Sequence, residues 1–68
     1  MKKRELMRRL RAIAADADLE LAFVRQGANH ELWSLGSQRV AIPRHREINE
    51  RTANGIITTA QEATQDGT

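Results

Sequence analysis

Two side chains in this 68-residue sequence are imidazoles, the residue type suited to proton exchange near neutral pH: His30 and His45. An imidazole can take or give a proton there, so general acid–base transfer is the chemistry within reach. The chain has no cysteine. That removes thiol nucleophiles, disulfide scaffolds and cysteine-ligated zinc in one step. The histidines lie 15 residues apart, outside any HxxxH spacing. Neither a metal site nor a cofactor is expected. His30 closes the run Gly27-Ala28-Asn29-His30, which reads as a turn, since Gly and Asn accept positive φ. The other reactive groups are cationic. Nine of the eleven cations are arginine, whose planar fork suits phosphate better than lysine's point charge.

These cations are unevenly placed. Residues 1–11 carry Lys2, Lys3, Arg4, Arg8, Arg9 and Arg11 against Glu5. Residues 39–51 carry Arg39, Arg44, Arg46 and Arg51 against Glu47 and Glu50. A polyanionic partner is implied, with nucleic acid the first candidate. The N-terminal segment is charged throughout, unlike a secretory signal. The longest uncharged run, Thr52 to Gln61, is too short and polar to span a bilayer. A soluble cytoplasmic protein with no membrane partner is expected.

Five elements must position these groups. Leu6, Leu10, Ile13 and Ala17 recur at helical spacing and predict a helix from Lys3 to about Ala17. Arg4, Arg8 and Arg11 fall opposite that stripe and form a solvated basic ridge. Cations at the helix start oppose its dipole, so the ridge is better suited to a partner than to helix stability. Glu20 to Arg25 predicts a strand, with Phe23 as its core anchor. His30 to Leu35 and Arg39 to Ile42 predict two more, joined at Gly36-Ser37. Pro43 ends the ladder because it lacks an N–H. The short connections imply an antiparallel meander. Asn49 suits the N-cap of a last helix from Glu50 to about Ala63, with Ile48 as an anchor before it. Ala53, Ile56, Ile57 and Ala60 make its buried stripe. Residues 64–68 read as a polar, frayed tail.

The expected fold is therefore α+β in the order α-β-β-β-α. A three-stranded antiparallel sheet carries two helices on one face, in a single domain over residues 1–63. This is the architecture of small double-stranded-RNA-binding domains. Trp33 and Leu35 bring more apolar area than Leu32, so they should face the helices. Alternation then puts His30 on the open sheet face, beside a glycine turn.

The run Gly27-Ala28-Asn29-His30, then Gly36, then Arg39-Val40-Ala41-Ile42-Pro43-Arg44-His45, resembles the HicA family of toxin endoribonucleases. That family carries a G-S-x-H turn before its second strand and an R-x-V-x-(I/V/M)-P-x-H segment ending its third. Ala28 stands where the family has serine. Glu47-Ile48, Thr52 and Ile56-Ile57 are similar to its E-(L/I)…T…I-L pattern, and the basic opening to its first helix. The resemblance spans roughly residues 1–63. It implies metal-independent cleavage of mRNA with His30 essential, and a HicB-like antitoxin as protein partner. Gly27, Pro43 and His45 match family motif positions.

RNA supplies its own nucleophile, the 2′-OH. His30 would withdraw that proton or protonate the leaving 5′ oxygen, leaving a 2′,3′-cyclic phosphate. Arg25, Arg39 and Arg44 flank the same strands and would offset transition-state charge. Lys3, Arg4, Arg8 and Arg11, with Gly27, Asn29 and His45, complete the RNA-contacting candidates. His45 could be a second proton-transfer group or a structural loop residue. Two readings from other classes remain open: a non-catalytic RNA- or DNA-binding module, and an interaction protein whose first helix docks an acidic partner.

Overall fold

A computed structural model describes residues 1–65. Helix α1 spans Lys3–Asp16, strand β1 Leu21–Gln26, β2 His30–Leu35 and β3 Gln38–Pro43, and helix α2 spans Glu50–Gln65. The order is α-β-β-β-α, and the sheet is an antiparallel meander in the order β1-β2-β3. Boundaries agree with the sequence expectation to within one or two residues. Thr64 and Gln65, expected to lie in the frayed tail, extend α2 instead; the rest of that tail, residues 66–68, lies outside the described residues.

Alternation along β3 shows why the sheet is two-faced. Val40 and Ile42 are buried while Arg39 and Ala41 are exposed. Leu35 at the end of β2 joins Val40 and Ile42 on the covered face. Helix α1 brings Leu6, Leu10 and Ala14, and α2 brings Ala53, Ile56 and Ala60. Both stripes include small alanines, Ala14 in α1 and Ala53 and Ala60 in α2, which lets the helices approach each other closely. The buried stripe of α1 runs through Ala14, leaving Ile13 and Ala17 partly exposed. Ile48 is buried just before α2, as an anchor should be. The N–H of Arg51 donates to Oδ1 of Asn49 at 2.8 Å, so Asn49 caps this helix.

The expected aromatic anchor is not in the core. Phe23 is 52% exposed. It lies opposite Trp33 on the edge strand β1, with ring centroids 5.4 Å apart in an edge-to-face pair. Helix α2 packs against β3, while α1 meets β1 only sparsely, so the aliphatic residues of β2 and β3 fill the core. Trp33 is half-buried at the margin of that core. Its Nε1 donates to Glu31 at 3.0 Å, and the Arg11 guanidinium sits over its ring at 5.8 Å.

Two backbone positions have positive φ, Asp18 at 58° and Gly36 at 60°. Asp18 follows α1, where Leu19 N–H returns to the Ala14 carbonyl at 2.8 Å and ends the helix. Gly36 occupies the first central position of the two-residue β2–β3 turn, between the paired Leu35 and Gln38. A side chain there would require a left-handed residue. Among the described residues, no helix is long and apolar enough to cross a membrane.

Candidate nucleic-acid interface

The open sheet face is assembled by an irregularity in β1. Phe23 pairs with Trp33, yet Arg25 pairs with Leu32, so Val24 is an extra residue in the ladder. Without this bulge, Val24 would lie opposite Leu32 and Arg25 would turn toward the helices. With it, Arg25 shares the open face with Leu32. The register adds the rest of that face: Ala22 opposite Ser34, Ser34 opposite Arg39, Leu32 opposite Ala41, and His30 opposite Pro43. Arg25, His30 and Arg39 are all exposed there. The neighbouring Ala22, Ser34 and Ala41 are small, so they leave room above the sheet. Arg25, Gly27, His30, Glu31, Leu32 and Ala41 line a shallow concavity at its upper end.

The turn that presents His30 is held from three sides. Gly27 N–H donates to the His30 carbonyl at 2.7 Å. The N–H of Arg44 donates to the Asn29 carbonyl at 3.2 Å. The Arg44 side chain reaches across, and its Nη1 donates to the Ala28 carbonyl at 3.0 Å. Arg44 is thus a clasp on the His30 turn as well as an exposed cation. The turn does not use positive φ at Gly27 or Asn29, contrary to expectation. Gly27 fits a tight place instead: an added Cβ would sit 3.2 Å from the His30 carbonyl oxygen, which would have to shift slightly.

The structure distributes the basic ridge of α1 among separate environments. Arg8 and Arg9 both pair with Glu5, at 2.6 Å and 3.0 Å. These guanidiniums, that of Arg8 foremost, hold the Glu5 carboxyl below its ordinary range. Arg11 covers Trp33. Lys3 pairs with Glu31 at 2.9 Å, each about one-fifth exposed. Lys3, followed by the Trp33 N–H, holds the Glu31 carboxyl below its usual range. Arg4 alone of the three ridge arginines turns toward a second concavity, which Lys2, Lys3, Met7, Arg44 and Arg46 also line.

His45 is exposed in the β3–α2 loop and does not line the concavity around His30. The bulge at Val24 and the grouping of Lys2 and Arg46 with Arg4 went unseen in the sequence. No glycine marks the bulge, and Lys2 and Arg46 are 44 positions apart in the chain. Among the described residues, no group of three or more His, Cys, Asp or Glu converges as metal ligands do. Comparison with family models, with curated proteins and with solved structures returns no match. Any functional assignment therefore rests on the residues and their geometry.

Proposed function

We propose that this chain is a toxin endoribonuclease of the HicA type, cutting mRNA by metal-independent acid–base transfer at His30. The observation that carries the reading is the open sheet face. An exposed imidazole stands there beside Arg25, with Arg39 on the same face and no helix above it. Single-stranded RNA can lie on such a surface with its phosphates against guanidinium groups.

The chemistry follows from the groups present. The substrate's 2′ oxygen attacks the adjacent phosphorus, and the bond from phosphorus to the 5′ oxygen breaks. His30 takes the 2′ proton or protonates the leaving oxygen, and solvent supplies the complementary transfer. Arg25 and Arg39 offset charge on the pentacoordinate phosphorus. The products are a 2′,3′-cyclic phosphate and a 5′-hydroxyl end. A HicB-like antitoxin would inhibit by lying over this face. An mRNA substrate would place the protein in the cytoplasm.

One observation favours a second reading. Among the described residues, the His30 imidazole has no hydrogen-bond partner to orient it. A non-catalytic RNA- or DNA-binding module would need no such partner. The test is an EDTA-treated reaction on an RNA oligomer and on the same oligomer with one 2′-deoxy nucleotide at the cut. Cleavage should survive EDTA, stop at the deoxy position and leave a cyclic phosphate. Binding without cleavage of the all-ribose oligomer favours the module. Cutting at the deoxy site would show that water, not the 2′-OH, attacks.

A further inference from the structure

The second concavity lies between the start of α1 and the β3–α2 loop. It is lined by Lys2, Lys3, Arg4, Met7, Arg44 and Arg46. Its walls are fixed by backbone: Lys3 N–H donates to the Arg46 carbonyl at 2.7 Å, and Lys2 bridges to Glu47. Five of the six lining residues are cationic. Two of those five are already matched, Lys3 by Glu31 and Lys2 by Glu47 at 3.6 Å. Arg44 holds the His30 turn through one nitrogen. Arg4 and Arg46 are exposed and, among the described residues, have neither an ion-pair nor a side-chain hydrogen-bond partner. A groove with two unmatched guanidiniums and a third partly engaged attracts a strand of phosphates.

Arg44 belongs to both places: it lines this groove and clasps the turn carrying His30. We infer that the groove is a phosphate track for single-stranded RNA, continuous past Arg44 with the His30 face. It holds the backbone of nucleotides on one side of the scissile bond. The inference rests on the RNA reading above. It adds a binding segment that the open sheet face does not contain, formed by Arg4, Arg46 and Arg44. An acidic segment of a protein partner would make different use of the same charges, and the test separates the two.

The experiment measures binding of a fluorescein-labelled single-stranded RNA 12-mer by anisotropy, across a salt series. His30→Ala is the parent, so cleavage does not interfere, and R4Q/R46Q is added to it. Among the described residues neither arginine side chain has a partner, so the double change should leave the fold intact, as circular dichroism will check. Each lost phosphate contact lowers the log–log salt slope by about 0.7 for a single strand, so the double change should lower it by about 1.4. Between 50 and 200 mM salt, the parent should then lose roughly sevenfold more affinity than the double variant. A 4-mer should bind both proteins alike. An unchanged slope with the 12-mer overturns the track, as does tight RNA binding by both proteins with loss of affinity only for a poly-glutamate peptide. Absence of cleavage by the wild-type protein, with the slope change intact, would overturn the ribonuclease reading and leave the track standing.

Discussion

At the scale of single residues, the proposed ribonuclease reading turns on which histidine faces the open sheet. His30 begins β2, pairs with Pro43 and lies on the uncovered side. His45 sits in the following loop, outside the concavity around His30. His30→Ala should therefore reduce RNA cleavage by roughly 10²- to 10⁴-fold, the usual contribution of a general acid or base. RNA affinity should change little. His45→Ala should leave cleavage near wild type. Single-turnover rates on a labelled oligomer would decide, and equal losses in both variants would put the proton transfer elsewhere. The His30 position was readable in the sequence because alternation along β2 rests on two strong apolar residues, Trp33 and Leu35. Arg25 was not placeable in the same way. One unsignalled extra residue, Val24, decides which face it takes.

Elements were more readable than the contacts between them. Periodicity located both helices and all three strands; the helices, β2 and β3 contribute buried residues to one core, and β1 contributes none. Phe23 was misplaced because apolar size does not reveal how far a helix reaches across a sheet. The edge strand β1 receives little cover, so the largest aromatic there stays exposed. The charged groove was hidden for a different reason: it joins residues from both ends of the sheet region, and spacing in the chain carries no trace of it. The glycines show how position sets the sign of one substitution. Gly36 has φ of 60°, and an added Cβ would stand 3.2 Å from a Leu19 methyl. Gly36→Ala should cost about 1–2 kcal/mol from the left-handed backbone. In a domain of this size that lowers Tm by roughly 4–8 °C per kcal/mol. Gly55 lies inside α2 with nothing within 4 Å of an added Cβ. Gly55→Ala should stabilise by about 0.5–1 kcal/mol through helix propensity. Paired thermal melts check both, and shifts of the same sign would contradict this account of the turn.

The stability of the whole molecule is tied to its carboxylates. The buried core is ten small or medium aliphatic residues, with no buried polar group among those described. Domains this small are marginal, so modest electrostatic terms become visible in unfolding. Glu5, Glu31 and Glu47 are all held below the ordinary carboxylate range by neighbouring cations. Glu47 is exposed and Glu5 about one-third exposed, so solvent screens their contribution. Glu31 is different, since its side chain is only 20% exposed and bridges Lys3 of α1 to Trp33 of β2. Its folded pKa lies below its unfolded one, so the folded state binds fewer protons in that window. The stabilisation is fully present above the unfolded carboxylate pKa and is lost as pH falls through the folded one. Glu31→Gln keeps the shape and removes the charge. Wild type should therefore be more stable than Glu31→Gln at pH 7, with the gap closing as pH drops below the usual glutamate value. Urea unfolding of both proteins across pH 7 to 3, followed by tryptophan fluorescence, reads this directly because Trp33 touches the carboxylate. A gap that stays constant with pH would show that Glu31 stabilises through packing and neutral hydrogen bonding. The ion pair would then contribute nothing to joining α1 and the sheet.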